Sequence, residues 1–192
     1  MDLFNTVKEK LGDVDVIAED LGYLTESVIE MVKESGYPGM KVLQFAFGSG
    51  SDNEYLPHNY TPNSVVYTGT HDNETLMQYL ECTEEHVRNH IREYMNRPHA
   101  SNEELCENLI WMAMSSVGKY CMIPLQDYLG LGKEARMNYP STLGHNWEWR
   151  VRKEQLTHDL AGYIAHMTGL SYRWRIDPPK EEETNEKDTE NK

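Results

Sequence analysis

Cysteine is scarce in this sequence, and Cys82, Cys106 and Cys121 are all it contains. An odd number without metal-ligand spacing argues against both a disulfide framework and a zinc site, and suits reduced thiols in a cytoplasmic protein. Basic residues are also few. Eighteen Lys and Arg stand against 32 Asp and Glu, a formal charge of −14. Such a balance repels the phosphates of nucleic acid and the anionic face of a membrane, whereas a neutral ligand such as a sugar meets no such barrier. No apolar run approaches the ~20 residues of a membrane-spanning helix. The start, Met1 to Lys10, mixes acids and bases and lacks the apolar centre of a signal peptide. The absences therefore point to a cytoplasmic chain without nucleic acid or membrane partners.

What the sequence does hold is enough apolar material for a core. At 192 residues and 39% hydrophobic it is predicted to form one globular unit. Leu3, Phe4, Val7 and Leu11 recur at helical spacing before Gly12, and Val14, Val16, Ile17 and Ala18 predict a short buried strand ended by Glu19 and Asp20. Thr25 caps a predicted helix bearing Val28, Ile29 and Val32, closed by Gly36 and Pro38. Lys41 to Phe47 reads as a second strand and Ser64 to Thr68 as a third, separated by a polar loop over Gly48 to Asn63. Thr83 and the pair Ser101 and Glu104 are expected N-caps for two helices filling Glu84 to Ser116. Tyr120 to Leu125 gives a fourth strand, and Leu156, Leu160, Tyr163 and Met167 a last helix.

Strands alternating with helices imply a parallel sheet, in a barrel or an open doubly wound fold. Four strands do not close a barrel, which needs eight and typically ~250 residues, so the expected fold class is α/β, the second half of a (β/α)8 TIM barrel. Residues 1–176 form that unit. From Asp177 to Lys192 the chain carries EEETNEKDTENK after a Pro pair, and this acidic tail is expected to be disordered.

In a parallel barrel the active site lies where strands end. Two polar clusters follow predicted strands: Glu19-Asp20 after the first, and Thr70-His71-Asp72-Asn73 after the third. Acids in such places also commonly cap the following helix. Two carboxylate clusters together suit retaining glycoside cleavage, in which one carboxylic acid protonates the leaving oxygen and another carboxylate traps the sugar. A carboxyl beside other acids in a partly dry pocket has its proton affinity raised, a task that Glu19 fits.

The stretches VIAEDLG, PGMKVLQFAF, YLPHNYTPNSVVYTGTHDNETL and IPLQDYLGLGKEARMNYPSTLGHNWEWR resemble the later part of the amylomaltases, the 4-α-glucanotransferases of glycoside hydrolase family 77. The resemblance covers roughly Leu3 to Tyr172. It implies that Glu19 is the general acid/base, that Asp72 grips sugar hydroxyls and stabilises the transition state, and that His71 bonds the same sugar. It further implies a retaining transfer of 1,4-α-glucan segments to glucan acceptors, with maltooligosaccharides or other 1,4-α-glucans as partners and neither cofactor nor metal. In the family the nucleophilic Asp belongs to an earlier strand, and this sequence holds no counterpart. The expectation is thus a fragment that needs the N-terminal half of the barrel and is inactive alone. An α-amylase-like hydrolase and a non-catalytic glucan-binding fragment stand as alternatives.

Phe45 resembles a family residue near the sugar path, and an aromatic at a strand end equally suits the core. Tyr55, His58 and Tyr60 in the long loop can bind glucose units or pack the loop. Asn138 lines the cleft or makes a turn. Where many relatives carry an acid after Phe-Ala-Phe, this chain has Gly48-Ser49. Trp147 and Trp149 are expected to anchor the chain end onto the barrel.

Overall fold

A computed structural model describes residues 1–173. The expected acidic tail, 177–192, lies outside them, as do residues 174–176. The described chain is a mixed α/β unit built on a three-stranded parallel sheet, β1 (Gly39–Val42), β2 (Ser64–Tyr67) and β3 (Tyr120–Met122), in that order. Gly39 lies opposite Ser64 and Val65 opposite Tyr120.

Two helices precede the sheet. α1 (Asp2–Leu11) ends at Gly12 with φ 78°, and α2 (Glu26–Ser35) starts after Thr25 and ends at Gly36 in the left-handed region, as the sequence leads one to expect. Neither contains a fully buried residue.

Between them the expected strand at Val14 to Ala18 does not form. Ala18 N–H donates to Pro38 O at 2.9 Å, but Met40 N–H donates to the side-chain Oδ1 of Asp20 at 2.7 Å instead of to a main-chain carbonyl. One carboxylate thereby takes the donor on which a ladder would have continued. Gly39 permits it, because a Cβ there would run into the Asp20 carboxylate.

The second predicted strand, Lys41 to Phe47, is also shorter. The chain leaves the sheet at Val42 and turns through a 3-10 segment, Leu43–Phe45, and Leu43, Ala46 and Phe47 enter the core from that turn. A short, largely apolar stretch such as KVLQFAF carries too little periodicity to separate strand from turn. At β3 the strand stops at Met122, and Pro124 precedes a single helical turn, α6 (Leu125–Tyr128).

A helix that the sequence reading passed over, α3 (Leu76–Cys82), follows β2. Thr75 caps it, its hydroxyl accepting from Gln78 N–H at 3.2 Å. Thr83, expected to open the next helix, instead closes α3, and α4 (Glu85–Tyr94) begins after Glu84. The capping box of α5 (Asn102–Met114) forms in both directions, Ser101 N–H to Glu104 at 2.8 Å and Glu104 N–H to Ser101 at 3.3 Å. The last helix, α7 (His158–Leu170), starts after Thr157, leaving Leu156 outside it.

β2 is the central strand, and Ser64, Val65 and Val66 are buried, as a parallel strand covered on both faces requires. Leu76 and Leu80 of α3, Ile91 of α4, and Leu105 and Leu109 of α5 fill the core beside Val66, Leu43 and Phe47. Each such side chain contributes about 1.5–3 kcal/mol by leaving water. All three cysteines are free. Among the described residues no helix is long and apolar enough to cross a membrane.

Candidate active site

The loop between β2 and α3 is fixed from below before any ligand is considered. Asp127 of α6, 2% exposed, accepts a hydrogen bond from Thr68 Oγ1 at 2.6 Å and another from Leu76 N–H at 2.8 Å, so one carboxylate ties both ends of the loop. Burial pushes its carboxyl up to about 6, against the opposing pull of those two hydrogen bonds. Within the loop Asn73 Oδ1 accepts from Thr70 N–H at 2.9 Å and from Thr70 Oγ1 at 2.8 Å, a local turn that raises His71 and Asp72. Gln44 Nε2 donates to Glu74 O at 2.8 Å, and a Cβ on Gly69 would come within 2.5 Å of that amide.

Arg136 holds the loop from the other side. Its Nη1 meets Glu74 Oε1 at 2.6 Å, Nη2 donates to Asp72 O at 2.9 Å, and Nε donates to Asn138 O at 3.0 Å. The guanidinium also lies 4.2 Å from the centre of the Tyr139 ring. Asn138 in turn donates from Nδ2 to Asp72 Oδ1 at 2.7 Å, and His71 Nε2 lies 3.3 Å from the same oxygen.

His71 and Asp72 face a cavity of about 760 Å³ beyond the C-terminal ends of the parallel strands, the position where such sheets bind ligands. Glu19, Phe45, His71 and Asp72 all line it, with Tyr67 and Asn73 and apolar surface from Ile17, Met40 and Met122. The two acid clusters picked out in the sequence thus share one concave space. Asn138 joins them through its bond to Asp72. Tyr55 stands behind the wall, edge-on to Phe45 with ring centres 5.4 Å apart. His58 sits between Tyr94 Oη at 2.9 Å and Ser51 O at 2.8 Å, and Tyr60 donates to Tyr55 O at 2.9 Å, so both side chains are engaged in holding the 48–63 loop. Burial raises the Tyr60 phenol far above its usual range.

Three residues escaped the sequence reading. Tyr67 lines the cavity, its phenol held above the ordinary value first by burial and then by the charge of Glu19. Its signal was a hydroxyl on the last residue of a buried strand. Arg136, two residues before Asn138, carries no local mark of its partner at Asp72. Trp147, expected only to anchor the chain end, lies against His71 with ring centres 5.0 Å apart and is 51% exposed. Among the described residues no three His, Cys, Asp or Glu side chains are grouped as metal ligands.

Comparison with known proteins gives this geometry a family. The model of the family described as 4-alpha-glucanotransferase matches residues 1–157. The 4-alpha-glucanotransferase of Clostridium butyricum is 47% identical over 171 residues, covering 88% of this chain and 35% of its own length. The chloroplastic/amyloplastic 4-alpha-glucanotransferase of Solanum tuberosum is 44% identical over 149 residues, 78% of this chain and 26% of its own. The solved amylomaltase of Streptococcus agalactiae, in complex with acarbose, superposes with a TM-score of 0.84 at 36% identity, over 91% of this chain and 35% of that one. This chain therefore spans between about a quarter and a third of the relatives that it matches. With a family match over most of its residues and the two acid clusters facing one cavity, the chain belongs to the 4-α-glucanotransferase family, glycoside hydrolase family 77.

Proposed function

We propose that this chain is the later part of a (β/α)8 barrel that transfers 1,4-α-glucan segments between maltooligosaccharides by a retaining, two-step displacement. The observation that carries the reading is that Glu19 and the His71-Asp72 pair, 52 residues apart in sequence, line one cavity at the carboxyl ends of parallel strands. Glu19 donates a proton to the glycosidic oxygen as the donor is cut, and takes a proton from the acceptor hydroxyl in the second step. Asp72, held by Asn138, accepts hydrogen bonds from sugar hydroxyls and strengthens them as the ring flattens toward an oxocarbenium-like state. His71 bonds the same ring, and Phe45 gives its neighbour an apolar wall. The nucleophilic carboxylate comes from the other part of the barrel. Support for that division is that, among the described residues, β3 pairs on one side only, and Tyr120 and Met122 are exposed beside a further cavity of about 890 Å³.

The test joins this chain behind the upstream segment of the Clostridium butyricum relative. The joined protein should convert maltotriose into glucose and longer glucans. A joined protein that folds and gives only hydrolysis products would make the site that of an α-amylase-like hydrolase. One that binds maltooligosaccharides without turnover would make it a binding unit.

A further inference from the structure

The segment after Asn138 carries a feature that the transfer mechanism leaves without a role. Trp147 has φ 65°, a left-handed backbone that Gly and Asn adopt readily and a bulky side chain rarely does. Ser141 and His145 in the same segment share that geometry, at φ 63° and 56°. The conformation is held from both sides: Trp147 N–H donates to Met137 O at 2.7 Å, and Arg150 Nη1 donates to Trp147 O at 2.7 Å. Asn146 adds a third tie by accepting from Tyr139 N–H at 2.9 Å.

Trp147 lies against His71, the imidazole next to Asp72, with ring centres 5.0 Å apart. It also lines a second, smaller cavity of about 180 Å³ together with Thr70, Asn73, Glu74 and Arg136. At ~30 Å³ per liquid water, that is space for about six waters, the scale of a single sugar ring. Thr70, His71, Asn73 and Pro124 belong to both cavities, so the two adjoin.

The chemistry of the small cavity suits a pyranose. One wall is the indole of Trp147, a ring whose face is electron-rich at its centre and attractive to the polarised C–H bonds of a sugar. Thr70 Oγ1 and Asn73 Oδ1 bond each other and Glu74 Oε1 bonds Arg136, so the Asn73 amide nitrogen and the second Glu74 oxygen are the groups that can meet ring hydroxyls at the edge. Because the chain as a whole is strongly acidic, a neutral ring fits better than an anionic one.

We propose that Trp147 is a sugar-binding residue, whose exposed indole face stacks on one glucose ring of an α-glucan adjoining the ring held at His71 and Asp72. The inference rests on the glucan reading of the larger cavity, and the experiment separates the two. In the joined protein, Trp147→Gly removes the ring and suits the left-handed backbone, so the loop keeps its path. Trp147→Phe retains an aromatic face. Trp147→Gly should raise KM for maltotriose about tenfold with kcat within about twofold, and Trp147→Phe should recover KM to within about threefold of the parent. Acarbose should quench tryptophan fluorescence in the parent, and the quench should be largely lost in Trp147→Phe. An unchanged KM in Trp147→Gly, or a fall in kcat with KM unmoved, overturns the inference while the glucan reading stands. A joined parent that neither turns over maltotriose nor binds acarbose overturns both.

Discussion

Asn138 Nδ2 donates a 2.7 Å hydrogen bond to Asp72 Oδ1, joining two side chains 66 residues apart in sequence. Arg136 fixes both partners, through the carbonyl of Asp72 and the carbonyl of Asn138. Asp72 therefore does not orient itself. Its carboxylate is aimed by a neighbouring loop, and that loop is held to it by one guanidinium.

Arg136→Lys tests that dependence. An ammonium keeps the charge but cannot span Glu74, Asp72 and Asn138 in fixed directions. With the arginine side chain only 11% exposed, losing part of this charge-assisted network should cost about 2 kcal/mol of stability. In the joined protein kcat should fall by about tenfold. Denaturant titration and maltotriose kinetics measure the two effects, and wild-type values for both would remove Arg136 from any positioning role.

Glu19 and Asp72 should separate kinetically in the joined protein. Glu19→Gln cannot transfer a proton, so an intermediate forms slowly from maltotriose. α-Glucosyl fluoride needs no protonation of its leaving group, and with it this variant should show a burst or a trapped glycosyl-enzyme. Asp72→Asn weakens the grip on sugar hydroxyls in both steps, so its rates should stay low with either donor. Single-turnover kinetics decide it: rescue of Asp72→Asn but not of Glu19→Gln would reverse the two assignments.

Asp127 should leave a pH signature on stability. Its folded-state pKa is raised from the ordinary 3.8 to about 6, chiefly by burial, so between those values the folded protein holds a proton that the unfolded chain has released. Stability from this group is greatest below pH 3.8 and is lost as pH rises through about 6, by about 3 kcal/mol in all. The neighbouring Cys106 thiol, pushed up to about 12 mainly by burial, stays neutral throughout. Asp127→Asn has no such titration. Relative to it, the parent should lose stability between pH 4 and pH 6.5 in denaturant titrations, and a constant difference across that range would contradict the buried-carboxyl account.

As an isolated 192-residue chain the protein should self-associate. Among the described residues β3 pairs on one side only, and Leu3 and Leu11 on α1 and Ile29 on α2 are exposed apolar side chains. Light scattering should show dimers or larger species that disappear in the joined protein, and the isolated chain should make no longer glucans from maltotriose. A dilute monomer with one sharp unfolding transition would argue that these surfaces need no cover.

The sequence by itself determined whatever closes within a turn or two of chain. Ser101 and Glu104 stand three residues apart, and their reciprocal bonds require only that a helix start there. Gly12 and Gly36 end helices for reasons local to their own backbone. The apolar run at Ser64 to Thr68 marks a strand, and stretches such as VIAEDLG and YTGTHDNETL carry the resemblance to the family. Contacts between distant segments were decided only in three dimensions. Val14 to Ala18 has the composition of a strand, yet a side-chain oxygen of Asp20 takes the Met40 N–H on which the ladder would continue. Lys41 to Phe47 reads as one strand, but burial rewards a turn as well as a strand, and beyond Val42 packing chose the turn. Arg136 finds Asp72 across 64 residues, Asn138 across 66, and Trp147 rests on His71. Side chains at such separation meet only after the strands and helices between them have packed, so no local pattern marks the pairs.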